Sequence, residues 1–340
     1  MAELRLAILG SGYMGRTHAE CITKHVHRAR LIAIAGGRRA PALAADYGVA
    51  VETSYEAMLA RSDVDAVLIA TPHADHCAQV LAAASAGKHV LVEKPMATSV
   101  ADCTKMIEAC KHAGVRFEVI QTQRFRGAVS RTGKLVADGA IGAVRMFDGR
   151  SLFTDYVVDQ SPWAGETEQG GAFLDTGVHF FDLMRFVLGA EAESIFATVT
   201  TFGDVPYPGL NAMSQIRFSG GIMAQHWMTY QMPTPSLPNS QHRYVVVGET
   251  GTIDVDAYGK VQLGRNGQWE TYWEQPPIDY INRPLEPVRL EAFFRQTQAF
   301  VDDVLDGRPD TVSGEDGRAA VALVMAAWES SNSGQPVKLG

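Results

Sequence analysis

The order of apolar and polar positions changes character once along the chain. Up to about residue 122, short apolar runs (residues 4–9, 31–35, 64–70, 89–92 and 115–120) alternate with amphipathic stretches at 14–26, 41–47, 74–86 and 100–113. Short runs without polar alternation suit strands buried on both faces, as in a parallel sheet covered by helices on either side. Ser99 followed by Asp102 marks the start of the last of these helices, and Gly114 its end. The repeating strand–helix order predicts an α/β fold whose N-terminal domain, residues 1–122, is a Rossmann-type doubly wound parallel sheet.

From residue 123 the period shortens. A helix at 128–138 is followed by polar–apolar alternation at 144–153, 194–202, 213–218, 222–229, 243–247, 252–257, 261–263 and 269–273. Ser219-Gly220-Gly221 and Gly248-Glu249-Thr250-Gly251 read as hairpin turns. The spacing predicts a second, α+β domain over residues 123–340, with a mostly antiparallel sheet carrying helices on one side. Helices at 290–305 and 315–331 close it. The proline-rich stretch from Met232 to Pro238 reads as a long loop, a lid or an interface arm.

Composition narrows the partners. At 340 residues the chain is long enough for two cores. Its formal charge of −8 and lack of basic runs argue against nucleic acid or an anionic membrane surface. Cys21, Cys77, Cys103 and Cys110 form neither a CxxC pair nor a metal-ligand spacing, so a reduced protein without a metal site is expected. No signal peptide precedes the first strand and no apolar stretch is long enough to cross a bilayer, which together predict a cytoplasmic protein.

Gly10-Ser11-Gly12-Tyr13-Met14-Gly15 follows the first strand and opens the first helix. Gly10 permits the tight turn, Gly12 lets backbone approach a pyrophosphate, and Gly15 lets helix pack on strand, so phosphates meet a helix N-terminus. After the second strand, an enzyme that prefers NAD carries a carboxylate for the ribose 2′-hydroxyl. Here the residues are Ala35-Gly36-Gly37-Arg38-Arg39. A carboxylate repels a 2′-phosphate and an arginine pairs with it, so NADP(H) is favoured, with NAD the alternative. Thr71, Pro72 and His73 follow another strand and are expected to line the cofactor crevice. His76 either joins them or is a capping or packing histidine.

Two constellations carry candidate chemistry. Glu93-Lys94-Pro95 ends the apolar run at 89–92, at the crevice edge, where Lys94 is placed to stabilise a developing negative charge and Glu93 to hold the ammonium. An ordinary strand-end lysine is the plain alternative. Gly170-Gly171 then opens an amphipathic helix on which Asp175 and His179, four apart, share a face; Asp182 continues that face. A histidine oriented by an aspartate can exchange a proton with a hydroxyl, although such pairs also occur as surface hydrogen bonds.

Taken together, the glycine loop, Glu93-Lys94-Pro95 and Gly-Gly-x-x-x-Asp175-x-x-x-His179 resemble the glucose–fructose oxidoreductase/inositol dehydrogenase/MocA family. Thr71-Pro72 with His76, Ala86-Gly87-Lys88-His89-Val90, Gly248-Glu249-Thr250-Gly251 and Ser313-Gly314-Glu315-Asp316-Gly317 extend the resemblance over nearly the whole chain. It implies a Rossmann domain joined to an open-faced sheet domain, in an oxidoreductase that often dimerises or tetramerises through the sheet, with Lys94 as catalytic lysine, His179 as acid/base and Asp175 as its partner in the substrate site. It also implies a substrate contact from Arg124. After Trp163, where many members carry arginine, this chain has Ala164-Gly165.

The expected substrate wall mixes Arg124, Phe153, Tyr156, Trp163, His226, Trp227, Tyr230, His242 and Arg243, a set suited to a sugar, an inositol or a related polyol. A cyclic dihydrodiol or a carboxylated hemiacetal fits the same side chains, with an arginine holding the anion. A non-catalytic nicotinamide-sensing regulator has no need of Lys94, Asp175 and His179 together.

Overall fold

The computed structural model describes residues 2–154, 166–235, 242–280 and 282–340. The chain folds as two compact units, Met1–Thr122 with Asp279–Arg318, and Gln123–Ile278 with Ala319–Gly340. Among the described residues, no helix is long and apolar enough to cross a membrane.

In the first unit the strands are β1 (Leu4–Leu9), β2 (Ala29–Ala35), β3 (Ala50–Glu52), β4 (Ala66–Ile69), β5 (His89–Val92) and β6 (Phe117–Val119). They form a parallel sheet in the order β3-β2-β1-β4-β5-β6. The reversal of order at β1 and β4 makes the crevice in which doubly wound sheets bind ligands. The helices between strands are α1 (Tyr13–Lys24), α2 (Ala40–Tyr47), α3 (Tyr55–Leu59), α4 (His76–Ser85) and α5 (Val100–Ala113). α5 starts on a reciprocal cap, in which the Asp102 amide donates to Ser99 Oγ and that hydroxyl donates to the Asp102 carboxylate. It stops at Gly114, whose φ of +68° is left-handed.

The second unit carries α6 (Gly127–Ala137) and β7 (Val144–Leu152), then α7 (Gly171–Leu188), β8 (Ala192–Thr200), β9 (Asn211–Phe218) and β10 (Met223–Thr229). It continues with β11 (Arg243–Gly248), β12 (Gly251–Asp256), β13 (Lys260–Arg265) and β14 (Gln268–Glu274). The sheet order is β14-β13-β12-β11-β7-β10-β9-β8-β15, where β15 is Val337–Lys338. Both glycine turns join antiparallel neighbours, β9 with β10 and β11 with β12. β7 and β10 pair in parallel, an exception to the antiparallel rule of this sheet. Along β8, β9 and β10 buried and exposed residues alternate, so one face packs inward and the other stays open.

A single boundary at residue 122 does not describe the division, because residues 279–318 return to the first unit before the chain ends in the second. α8 (Pro287–Asp306) belongs to the first unit, with Phe300 and Val301 buried in the cluster that contains Ala19 and Ile22 of α1 and Leu6 and Ile8 of β1. α9 (Gly314–Ser333) begins in the first unit and ends in the second.

Candidate functional site

In the first unit the glycine loop is fixed by close backbone approaches. Gly10 has φ +116°, and a Cβ there would lie 2.2 Å from the Ala70 carbonyl oxygen. A Cβ on Gly15 would lie 2.0 Å from the Gly10 carbonyl oxygen. Gly12, the N-cap of α1, has nothing within 4 Å of its Cβ position. It caps with no side chain, and no acidic residue occupies the first helical turn. An open side next to uncapped helix N–H groups suits a pyrophosphate. Ser11 Oγ donates to the Gly36 carbonyl at 2.7 Å, tying this loop to the end of β2. There Gly37 turns the chain with φ +78°, and Arg38 and Arg39 follow, both exposed.

Tyr13 is half exposed and lies under the Arg289 guanidinium, 4.7 Å from the ring centroid. Arg289, from α8, is itself buried; it donates to Thr17 Oγ1 at 3.2 Å and to the Pro284 carbonyl at 2.6 Å. Nothing in the local sequence around Arg289 indicates this placement, because its partners on α1 lie more than two hundred residues away.

The strand ends beyond β4 and β5 are joined by His76. The imidazole is fully buried, with Nδ1 2.9 Å from the Pro95 carbonyl oxygen and Nε2 3.0 Å from that of Thr71. Burial depresses its pKa, against the pull of those carbonyls and of the Glu93 charge. His73 is also buried, its ring 5.9 Å from that of His76. Thr71 Oγ1 donates to Gln79 Oε1, and Pro72 is exposed. Lys94 is half-buried, and the peptide bond to Pro95 is cis. Glu93 is buried, and His18 Nε2 on α1 lies 2.8 Å from its Oε1. Burial works to raise the Glu93 pKa, but the His18 hydrogen bond and the nearby Lys94 charge hold it below the usual glutamate range. Met14 is half-buried and packs beside Cys21, Leu290 and Phe293.

In the second unit α7 starts on left-handed Gly170 and Gly171. A Cβ on Gly170 would lie 2.1 Å from Leu174 Cδ2. From Gly171 to Met184 every residue is buried except Asp175 and His179. Asp182, on the same stripe, is fully buried and accepts two hydrogen bonds from the Arg124 guanidinium, 2.8 Å from Nε and 2.6 Å from Nη2. The substrate-contact arginine implied by the family resemblance is therefore held as one half of a bidentate ion pair.

Thr176, beside Asp175, hydrogen-bonds the Tyr230 hydroxyl, and Tyr230 stacks on Phe153 with centroids 4.9 Å apart. The Phe153 ring meets His242 edge-on at 5.5 Å, and His242 lies 5.5 Å from Tyr258. Tyr258 receives the Gln123 amide at 3.0 Å and carries the Arg126 guanidinium 4.2 Å above its ring. Tyr230, Phe153 and His242 are thus brought together beside α7, and Gln123, Arg126 and Tyr258 join them although no sequence motif marks them. Tyr156 and Trp163, with Ala164 and Gly165, lie outside the described residues.

Three of the expected wall residues belong elsewhere. His226 is buried between Phe180, stacked at 4.2 Å, and Phe181, and burial drives its pKa down to about 3, so it is a neutral core histidine. Strand alternation turns Trp227 to the opposite, open face. Arg243 is likewise turned away from His242, and its guanidinium is paired with Asp254 at 2.6 Å. That face exposes Met146, Phe196, Met213, Met223 and Trp227. Phe196, Met213 and Trp227, with Asp148, Arg150 and Gln225, line a shallow depression of about 340 Å³. Among the described residues no cluster of His, Cys, Asp and Glu side chains is arranged to hold a metal ion.

Two family models match the chain: an oxidoreductase family with an NAD-binding Rossmann fold over residues 4–121, and the C-terminal alpha/beta domain of an oxidoreductase family over residues 133–339. A myo-inositol 2-dehydrogenase of Thermotoga maritima is 28% identical, covering 99% of this chain and 98% of its own. The crystal structure of an aldose-aldose oxidoreductase from Caulobacter crescentus complexed with glycerol superposes with a TM-score of 0.85 at 27% identity, over 99% of this chain and 100% of its own. The WlbA dehydrogenase of Bordetella pertussis, solved with NADH and UDP-GlcNAcA, has a TM-score of 0.85 at 26% identity, over 100% of this chain and 98% of its own.

Proposed function

The chain belongs to the glucose–fructose oxidoreductase/inositol dehydrogenase/MocA family of NAD(P)-dependent oxidoreductases acting on CH–OH groups, and from that premise we propose that it interconverts a secondary alcohol and a carbonyl on a sugar, an inositol or a related polyol, with NADP(H) as preferred cofactor. The observation that carries this reading is on α7, where a stretch otherwise buried leaves Asp175 and His179 partly open, one turn apart. A structural helix has no need of an accessible Asp–His pair. An acid/base does.

The glycine loop and the α1 N-terminus fit a dinucleotide pyrophosphate, with Gly10, Gly12, Tyr13, Met14 and Gly15 around it. Arg38 and Arg39 stand where a ribose 2′-phosphate needs positive charge, and the end of β2 holds no carboxylate to repel it. The bound nicotinamide supplies a hydride acceptor or donor. His179 takes the hydroxyl proton at its imidazole nitrogen in oxidation and returns it in reduction, and Asp175 orients the ring. The Lys94 ammonium hydrogen-bonds the reacting oxygen and stabilises its alkoxide character. Tyr230, Phe153 and His242 offer an aromatic surface with polar edges, which suits a ring bearing hydroxyls. The myo-inositol and aldose named for the relatives are of that class. The exposed methionines and aromatics of the open sheet face fit burial against a second copy of the chain, as dimer or tetramer.

The test is a screen of NADP⁺ and NAD⁺ reduction against inositols, aldoses and cis-diols. Turnover on a polyol that disappears in both Lys94→Ala and His179→Ala, with nucleotide binding retained, is the expected result. Tight nucleotide binding with no turnover on any of them would overturn the reading in favour of a nicotinamide sensor.

A further inference from the structure

Lys94 sits between two main-chain attachments, and a buried histidine stands behind each. On its N-terminal side, Glu93 Oε2 accepts the Lys94 amide at 3.1 Å while Oε1 takes His18 Nε2 at 2.8 Å. On its C-terminal side, the Pro95 carbonyl is held by His76 Nδ1 at 2.9 Å. His18 comes from α1, the helix that opens on the glycine loop; His76 comes from α4, which follows the next strand of the crevice. Both rings are shut off from solvent, so neither is placed to touch a substrate.

We propose that His18 and His76 are positioning residues that clamp the main chain on either side of Lys94. The proposal rests on the reading of Lys94 as the group that meets the reacting oxygen.

The two histidines bond through different nitrogens, and this makes the idea testable with amides. Asparagine places its NH₂ near the Nδ1 position, and glutamine places it near Nε2. The neutral His76 ring has one N–H, and in the tautomer that carries it on Nδ1 it donates to Pro95; His76→Asn keeps that donor, whereas His76→Gln moves it to the Thr71 carbonyl. For His18 the order reverses: Gln keeps the bond to Glu93 and Asn loses it. A role in filling space alone predicts that glutamine, the closer match in volume, is the better replacement at both positions.

The experiment measures NADP⁺ reduction with myo-inositol and with D-glucose as probes, together with amide hydrogen exchange over the peptide that contains Lys94. His76→Asn and His18→Gln should keep kcat within about threefold of the parent, and their counterparts should lose about tenfold or more in kcat with the KM for NADP⁺ little changed. Exchange at the Lys94 amide should speed up in His18→Asn and not in His18→Gln, a readout that stands even if neither probe is turned over. Glutamine better at both positions, losses confined to KM, or failure of all four variants to fold would each overturn the proposal. Unchanged turnover in Lys94→Ala would instead remove the reading beneath it, whatever the histidine variants do.

Discussion

The Arg124 guanidinium closes on the Asp182 carboxylate through two hydrogen bonds, and the carboxylate has no solvent exposure at all. Breaking a buried pair costs about 3–5 kcal/mol when the remaining charge is left uncompensated, and less here because Arg185 Nη1 stands 4.0 Å from the same carboxylate. Arg124→Ala is therefore expected to lower stability in urea denaturation by up to about 3 kcal/mol, and Arg124→Ala/Asp182→Ala to recover part of it. If Arg124 served the substrate instead, Arg124→Ala would raise KM with little loss of stability.

The proposed NADP(H) preference rests on Arg38 and Arg39. A charge-assisted hydrogen bond contributes about 1.5–3 kcal/mol, or roughly a factor of ten or more in affinity. Arg38→Ala/Arg39→Ala should lower kcat/KM for NADPH by at least that factor and leave NADH nearly unaffected. Parallel losses with both nucleotides would show that neither arginine meets a 2′-phosphate.

Glu118, on β6, is buried with Asp303 and Asp310 close by. Burial first, and then the charge of those aspartates, raises its pKa to about 8, against the Val312 amide that donates to it. A carboxyl with a raised folded-state pKa gives stability that is complete below its unfolded value and is lost as pH climbs through the folded one. Stability should thus fall between about pH 4.5 and about pH 8, at up to about 1.4 kcal/mol per unit. Glu118→Gln, which stays neutral, should show little of that fall, as urea titrations at about pH 5 and about pH 9 would reveal.

The open sheet face makes a separate prediction. Trp227 and Met213 are cross-strand neighbours in its middle, and Phe196 stands one row along. A charge introduced there by Met213→Glu/Trp227→Glu would face desolvation in any assembly that buries this surface. Sedimentation should show the parent as an oligomer and the double variant as a smaller species with unchanged thermal stability of its fold. A monomeric parent would end the idea.

What the sequence discloses depends on whether a signal is local. The strands of the first unit are mostly apolar because helices cover both faces, and β1 and β5 fall where the runs place them. β3 and α3 are too short to show a period, and the hydrophobic pattern discloses neither. The Asp175–His179 pair is legible because four residues return a helix to the same face. Placing Trp227 with His226 in one wall overlooks strand alternation, which sends adjacent residues to opposite faces. The parallel pairing of β7 with β10 and the return of α8 to the first unit are not legible, since periodicity says that a helix has an apolar face and not which sheet will cover it. His18, Arg289 and the Arg124–Asp182 pair belong to the same class. Each is a polar residue buried by a partner distant in sequence.

Gly149, which no motif marks, is the point where β7 meets the helix that carries Asp175 and His179. A Cβ there would lie 2.2 Å from Phe180 Cε1 and 2.5 Å from its Cζ. The ring has little room to retreat, because it is stacked on His226 at 4.2 Å and abuts Phe147 edge-on at 6.1 Å. Phe180 follows His179 directly, so α7 must shift as a body if the ring is displaced. Overpacking of this kind costs about 1–3 kcal/mol. Gly149→Ala should accordingly lower the urea midpoint by a corresponding amount and reduce kcat more than it weakens NADP⁺ binding. Pairing it with Phe180→Leu, which vacates the ring position, should restore stability relative to Gly149→Ala alone. Equal stability of Gly149→Ala and the parent would show that β7 and α7 are free to move apart at this contact.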